Sequence, residues 1–396
     1  MNVLFVTYGV PYPPHGGAPL RDWNLLRVLA GEHQVTCACV LEQPPDRRAL
    51  AVLEQNGISA YGFVLPHRFQ PGALARHLAA RLPLATYAFY SAAAFEQIRA
   101  LTTRRAFDIA QIEHSFLTPY RHALAPNFRG KTILDLHNIG ALQYRRMLNL
   151  KLSPRERAQF WFKARLMRDW EIHAAAQFDR VLTVSKSEAD WLTAQLPTLR
   201  PVVVENGVDI TQCAFTNPNA SHTLLFVGTL GYLPNADAGR WFCDEIFPRI
   251  TNALPDAEFE MVGRAPRRTV QALSRRKNVR VTANVEDLQP HYENAGVVVV
   301  PLRAGGGTRL KILEAMAYGR AVVSTRVGAD GLDVRDGENI FLADTPREFA
   351  ERVIFLLRNL AARERVARNA RRWVETRYTW ARAGAQLRQT YRELAV

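Results

Sequence analysis

The stretch Val297-Val298-Val299-Val300-Pro301-Leu302-Arg303-Ala304-Gly305-Gly306-Gly307-Thr308-Arg309-Leu310-Lys311-Ile312-Leu313-Glu314-Ala315-Met316-Ala317 carries the most information in the chain. It opens with a wholly apolar run, the mark of a strand buried on both faces, as in a parallel sheet. Three glycines follow and expose backbone amides, and a helix is expected to begin near Thr308. A strand, a glycine loop and a helix start make an anion-friendly turn. Arg309 and Lys311 add two cations to the positive helix end, which suits a diphosphate. Lys311 and Glu314 are three apart and share one helix face. Glu314 can then accept from a ribose diol while Lys311 meets a phosphate. The competing reading is a charged surface helix, against which the glycine triplet weighs.

The same alternation extends in both directions. Val3–Tyr8, Val35–Leu41, Tyr61–Leu65, Ala106–Ile112, Lys131–Leu136, Arg180–Val184 and Pro201–Glu205 read as strands, separated by amphipathic stretches such as Leu20–Ala30 and Arg47–Gln55. After a linker at Asn206–His222, Thr223–Gly228, Glu258–Val262, Val279–Thr282, Ala321–Ser324 and Ile340–Leu342 repeat the pattern. Ser153-Pro154-Arg155-Glu156 is a capping box that opens a long helix to about Gln177, and Ser185-Lys186-Ser187-Glu188 repeats that logic. The fold class is therefore α/β, with two Rossmann-like doubly wound parallel-sheet domains facing across a cleft. Ligands are expected outside the carboxyl ends of the strands.

Composition sets the outer limits. The chain has 396 residues, 48% of them hydrophobic and 22% charged, enough apolar material for two cores and too much for a disordered chain. Its 4 cysteines form no CxxC pair and cannot frame a disulfide scaffold of this size. No apolar run is long enough to span a bilayer, and Met1–Thr7 lacks the basic start of a signal peptide, so a cytoplasmic protein is expected. The net charge is +14, and residues 66–168 hold 17 Lys+Arg against 5 Asp+Glu. Such a basic stretch attracts phosphates on nucleic acid, on anionic lipid or on a phosphorylated substrate. A merely solvated basic surface is the alternative.

Further candidates sit where strands end. Pro13-Pro14-His15-Gly16-Gly17-Ala18-Pro19-Leu20-Arg21 follows the first strand; its paired glycines suit either an anion loop or a tight turn. Leu134-Asp135-Leu136-His137-Asn138 and Glu113-His114 place polar groups at strand ends, although a lone histidine is often only structural. Asn206-Gly207-Val208-Asp209 reads as a turn between domains. Phe226-Val227-Gly228-Thr229-Leu230-Gly231-Tyr232-Leu233-Pro234-Asn235 is a second anion-friendly turn that contains no Lys or Arg.

In order and spacing, these motifs together with Val184-Ser185, Phe259–Gly263 with Arg264, and Leu313-Glu314-Ala315-Met316-Ala317 resemble retaining glycosyltransferases of the GT-B fold, family 4, over nearly the whole chain. The resemblance implies an acceptor-binding domain at residues 1–205, a nucleotide-sugar domain at 206–375 and a terminal helix at 376–396 that returns to the first domain. It implies that Glu314 holds the ribose and that His137 reaches the transferred sugar. Val285, Glu286 and Leu288 would frame the base, and Gly17 would let the first loop approach the diphosphate. Gly228, Thr229 and Arg264 fall among the donor contacts, and His15, Arg21, His114 and Asn138 on the acceptor side. Where the family commonly has a glutamate beside the donor sugar this chain has Gly306, and the usual Arg and Lys after the first strand of the second domain are missing. Arg309 and Lys311 are therefore expected to supply the diphosphate-neutralising charge, with the amides of Gly305, Gly306, Gly307 and Thr308 on the sugar or its phosphate.

The expected activity is transfer of a sugar from a nucleoside-diphosphate sugar to a glycan or lipid-linked acceptor. No Asp has a second Asp two residues on, so no metal and no cofactor are expected. The basic run, with Arg76, Arg81, Arg145, Arg146, Lys151, Arg155 and Arg157 among Leu78, Leu82, Leu84, Phe89 and Leu150, suits an anionic membrane surface. Two other readings compete: a nucleotide-sugar 2-epimerase of the same architecture, and a basic nucleic-acid binder, which the lack of an aromatic-basic strand motif disfavours.

Overall fold

The computed structural model describes residues 1–14, 16–65, 84–266 and 272–394. His15, Arg76, Leu78, Arg81 and Leu82 lie outside the described residues, as does the side chain of Leu84. Two compact units divide the chain: residues 1–141, 162–205 and 380–396 form unit 1, and residues 142–161 and 206–379 form unit 2.

Unit 1 runs β1 (Asn2–Tyr8), α1 (Gly17–Ala30), β2 (Gln34–Leu41), α2 (Arg47–Gln55), β3 (Ile58–Val64), α3 (Ala92–Arg104), β4 (Ile109–Glu113), β5 (Lys131–Leu136), α4 (Gly140–Met147, which crosses into unit 2), α5 (Pro154–Ala175, which crosses back), β6 (Arg180–Thr183), α6 (Lys186–Gln195) and β7 (Val202–Val203). Among the described residues its sheet has the order β3-β2-β1-β4-β5-β6-β7. All of these pairings are parallel, with Val3 opposite both Val35 and Ile109. The chain fills one side of β1 and then jumps to the other, so the order reverses between β1 and β4. Loops diverge at such a point and open a crevice at the carboxyl ends of the strands.

Unit 2 repeats the plan with β8 (Thr223–Val227), α7 (Leu233–Trp241), α8 (Phe247–Ala253), β9 (Glu258–Gly263), β10 (Val279–Ala283), α9 (Gln289–Asn294), β11 (Val297–Val300), α10 (Leu310–Ala317), β12 (Ala321–Ser324), β13 (Phe341–Leu342), α11 (Pro346–Arg358) and α12 (Leu360–Arg377). Its parallel sheet has the order β10-β9-β8-β11-β12-β13, which places the reversal between β8 and β11. The four valines of β11 are buried, as their uninterrupted apolar run requires. Burying each such side chain contributes roughly 1.5–3 kcal/mol. The last helix, α13 (Trp380–Leu394), belongs to unit 1 and packs on α1.

Local chemistry explains the boundaries. At α5 both arms of the capping box form: Ser153 Oγ accepts from the Glu156 amide at 3.3 Å, and Glu156 Oε2 accepts from the Ser153 amide at 2.9 Å. At α6 only the serine arm closes, with Ser185 Oγ accepting from the Glu188 amide at 3.3 Å. The Glu188 carboxylate turns instead to the Ile139 amide at 3.2 Å. The helix expected near Thr308 starts later, at Leu310. Gly305 and Gly307 take φ of 132° and 67°, and Arg309 has ψ of 87°, so the loop stays out of the helical region until Leu310. Residues 142–161, expected within the first domain, pack with unit 2, where Met147 and Leu150 cluster with Ala304. The terminal helix begins at Trp380 rather than at residue 376, because α12 runs on to Arg377 within unit 2.

Candidate active site

In unit 1, polar side chains converge at the carboxyl ends of β1, β4 and β5. Arg21 and Asp22 come from α1, Glu113 and His114 from the end of β4, and Asp135 and His137 from the end of β5. Arg21 donates to both oxygens of Asp135, at 2.9 and 3.1 Å, and to the Val204 carbonyl at 2.9 Å. This pair is fully buried. Thr7 donates its hydroxyl to Asp22 Oδ2. His137 Nε2 lies 2.6 Å from Glu113 Oε2 and 3.2 Å from Asp22 Oδ1. Burial alone would lower the His137 pKa, but Asp22 and Glu113 outweigh it and hold the ring well above its ordinary range. Burial raises Glu113, and the charge of Asp135 raises it further. Burial drives His114 the other way, well below the usual range, with the charge of His137 adding; the two rings lie 3.8 Å apart.

The loop after β5 is held from behind. Glu171 on α5 accepts from the Gly140 amide at 2.8 Å, the Ala141 amide at 3.0 Å and Ser115 Oγ at 3.1 Å, caging the first turn of α4. Burial lifts this carboxyl to about 7 against those hydrogen bonds. Asn138 sits half-buried in the same loop. Gly17, also in unit 1, is the exposed first residue of α1, preceded by Gly16 at φ 96°.

In unit 2 the site gathers at the reversal between β8 and β11. Lys311, in the first turn of α10, is half-buried and places Nζ 4.4 Å over the Phe226 ring centroid and 3.0 Å from Asn235 Oδ1. Asn235 Nδ2 donates to the Thr229 carbonyl at 3.0 Å, which fixes the amide so that its oxygen faces the lysine. Gly228 leaves the space that Lys311 uses, since a Cβ there would lie 2.7 Å from Nζ. Burial lowers Lys311 to about 7, and the positive charge of Arg309 adds to the effect. One turn on, Glu314 accepts from the Tyr292 hydroxyl at 3.1 Å. Burial raises its carboxyl, with Tyr292 and Lys311 opposing.

Arg309, expected to supply diphosphate-neutralising charge, turns into its own loop. It is buried, and its guanidinium folds under the glycine loop to donate to the carbonyls of Gly306 and Gly307. Gly305 permits this, because a Cβ there would meet Arg309 Nη2 at 2.8 Å. The loop is tied further by Arg303, bidentate on Asp237 at 2.7 and 3.0 Å. Arg146 reaches it as well, donating to the Gly305 carbonyl at 3.1 Å and to Asp330 Oδ2 at 2.6 Å. Gly306, Gly307 and Thr308 remain half-buried.

The remaining donor-side expectations also lie at the carboxyl edge of the second sheet. Thr229 and Arg264 are exposed, and the Arg264 carbonyl accepts from the Leu230 amide at 2.7 Å. Val285 and Leu288 are half-buried and Glu286 exposed, in the loop between β10 and α9. Arg21, expected on the acceptor side, is buried and donates to Asp135 and to the Val204 carbonyl. Sequence reading passed over Asp22 and Tyr292; it placed Asn235 in an anion-friendly turn without pairing it to Lys311, and Arg146 in the basic run rather than on the glycine loop. A charged residue within a buried run, such as Asp135 between Leu134 and Leu136, is the signal that a partner must exist.

Among the described residues, the trios Asp22, His114, His137 and Glu113, Asp135, His137 come close enough to share an ion. Arg21 donates to both oxygens of Asp135, and His137 Nε2 lies within hydrogen-bond distance of Glu113 Oε2 and Asp22 Oδ1. No helix of the described residues is long and apolar enough to cross a membrane.

Comparison with known proteins places this geometry. Residues 15–212, half of the chain, match the family described as Glycosyltransferase Family 4, and residues 221–359 match Glycosyl transferases group 1. The chain is 22% identical to an uncharacterised 44.6 kDa protein in the cps region of Klebsiella pneumoniae, over 95% of this chain and 96% of that one. It is 26% identical to phosphatidyl-myo-inositol mannosyltransferase of Mycobacterium tuberculosis, over 49% of this chain and 54% of that protein. Among solved structures, Anabaena HepE in complex with UDP and glucose superposes with a TM-score of 0.67 at 17% identity, covering 99% of this chain and all of that one. Sucrose-phosphate synthase from Thermosynechococcus elongatus gives 0.75 at 17% identity, covering 100% and 99%. The two doubly wound sheets are thus the architecture of solved glycosyltransferases, and with half its length matched to one family this chain belongs to glycosyltransferase family 4 and is a glycosyltransferase.

Proposed function

We propose that the chain transfers a sugar from a nucleoside-diphosphate sugar to an acceptor hydroxyl, with retention and without a metal ion, in polysaccharide, glycolipid or lipid-linked glycan synthesis. The observation that carries this reading is Lys311: a half-buried ammonium at the reversal of the second sheet, made room for by Gly228 and met by an amide oxygen rather than a carboxylate. Such a cation is poised for an anion that brings its own charge. Glu314, one turn along, suits a ribose diol. The amides of Gly305–Thr308 suit the donor sugar or its phosphate, and Arg309 holds that loop in shape.

As the glycosidic bond to the diphosphate breaks, negative charge grows on the leaving oxygen while the sugar gains oxocarbenium character. Lys311 and the amides at the start of α10 stabilise that charge. The acceptor oxygen attacks from the face the diphosphate leaves, and the departing phosphate takes its proton. His137 orients the sugar, and no protein nucleophile is assigned.

An anionic membrane is the proposed location of the acceptor. On α5, Trp161 and Phe162 are 58% and 56% exposed, among the exposed Arg155, Arg157, Arg165 and Arg168. Aromatic rings at lipid headgroups with arginines on phosphate are the usual chemistry of such a face. Arg146 is withdrawn from this role because Asp330 and Gly305 hold it, and Leu150 because it is buried. The relatives named for lipid work, such as phosphatidyl-myo-inositol mannosyltransferase, support a lipid acceptor.

A thermal-shift panel of nucleoside diphosphates and their sugars tests the donor site. One base should raise the melting midpoint, and Lys311→Ala should abolish the rise. No shift with any of them would overturn the reading. Release of nucleoside diphosphate only with acceptor present separates transfer from 2-epimerisation. Co-sedimentation with vesicles containing anionic lipid but not with neutral ones, weakened by Trp161→Ala, tests the membrane arm.

A further inference from the structure

A line of buried hydrogen bonds links the last helix to the site histidine of unit 1. Tyr391 on α13 donates its hydroxyl to Gln111 Oε1 at 2.7 Å. Gln111 Nε2 donates to Glu113 Oε1 at 2.6 Å. Glu113 Oε2 lies 2.6 Å from His137 Nε2. Tyr391, Gln111 and Glu113 are each fully buried, and the His137 side chain is 7% exposed.

The polarity of this line follows from donor and acceptor chemistry. The Tyr391 proton marks the near atom of the Gln111 amide as its oxygen, so the amide NH2 must face Glu113. That NH2 occupies Glu113 Oε1 and leaves Oε2 for His137. Asp22 Oδ1, the second carboxylate oxygen near Nε2, has no hydrogen-bond donor of its own among the described residues. With both carboxylates ionised, the ring nitrogen that faces their oxygens carries a proton. Nδ1 of the same ring is buried and unpartnered among the described residues.

We propose that Tyr391, Gln111 and Glu113 are positioning residues that, with Asp22, hold a proton of His137 on Nε2 and so fix the orientation of the ring in the transfer site. This rests on the placement of His137 in the transfer site. The groups that face the ring are Asp22 and, through Asp135, Arg21 from α1, Glu113 and His114 from the end of β4, and Asp135 from β5. The carboxylates outweigh the burial that would otherwise discharge the ring, in keeping with its raised pKa.

The test uses the full chain labelled with 15N-histidine and long-range 1H–15N spectra, with the His137 signal assigned by its loss in His137→Asn. The wild type is expected to show protonated Nε2 and a titration midpoint above 6.5. In Glu113→Gln the new amide turns its NH2 toward Nε2, so the neutral ring should carry its proton on Nδ1, with the midpoint falling by at least about one unit. Tyr391→Phe keeps the buried ring and removes only the donor. It should move the midpoint the same way by less, and lower kcat about 10-fold with donor KM unchanged. An unchanged His137 signal in both variants would overturn the proposal, even with a lowered kcat, since loosened packing of α13 would give that result. The spectra need no ligand, so failure of every nucleotide in the thermal-shift panel would count against the donor reading and leave this test intact.

Discussion

The two sheets end in opposite ways. At the carboxyl edge of the first, charge meets countercharge: Arg21 closes on Asp135, and His137 is held by Glu113 and Asp22. At the same edge of the second, beside three glycines, the Lys311 ammonium faces an amide oxygen and has no carboxylate within ion-pair distance among the described residues. One edge is neutralised from within, and the other is where we propose that the diphosphate binds. The contrast teaches that similar folds can close charge into internal pairs at one strand edge and leave a lysine facing only an amide at the other.

The sharpest way to break this contrast is to remove one partner on each side. Arg21→Met strands Asp135 in a buried site. It should cost about 3–5 kcal/mol in urea unfolding, the usual penalty for a buried charge left alone. Loss of activity with no loss of stability would mean that Arg21 serves a ligand after all. Lys311→Ala should do the reverse, cutting steady-state turnover at least about 100-fold while leaving the unfolding midpoint near that of the wild type. Arg309→Ala belongs with it, through collapse of the glycine loop.

Smaller effects sharpen the picture. Burial holds free Lys311 near 7, whereas a bound diphosphate would keep it charged. Binding should therefore take up a proton above pH 7, and affinity should fall by up to about 10-fold per pH unit there, as calorimetry in buffers of different ionisation enthalpy would show. Affinity that stays flat from pH 7 to 9 would remove Lys311 from the diphosphate. Arg146→Ala frees the Gly305 carbonyl and should raise donor KM about 10-fold through a looser loop. Dialysis against a chelator should leave the transfer rate unchanged, and a loss restored by a divalent ion would refute metal independence.

Much of the fold was legible because strands and helices announce themselves locally. The β11 valines, the Ser153 capping box and the glycine triplet are read within a few residues, and each lies where the sequence puts it. Strand order and long-range pairing are not local. Arg21 finds Asp135 at a separation of 114 residues, Lys311 finds Asn235 at 76, and Tyr391 finds Gln111 at 280. The assignment of residues 142–161 to unit 2 was hidden for the same reason: α4 and α5 read as ordinary helices, and only Arg146 on Asp330 and Leu150 near Ala304 reveal where they pack. Sequence could name the polar residues at the strand ends. It could not say that Arg21 and Asp135 would satisfy each other.

The return of α13 to unit 1 bears on how the protein is made. Ribosomes deliver the amino-terminal strands first, and domains generally fold in that order. Here the polar floor of the first sheet lacks Tyr391 until the whole of the second unit has been synthesised. Gln111 must wait with water or a surrogate partner, so the nascent first unit stays incomplete throughout translation of the second, and trimming the final helix would injure the half of the molecule that emerged earliest.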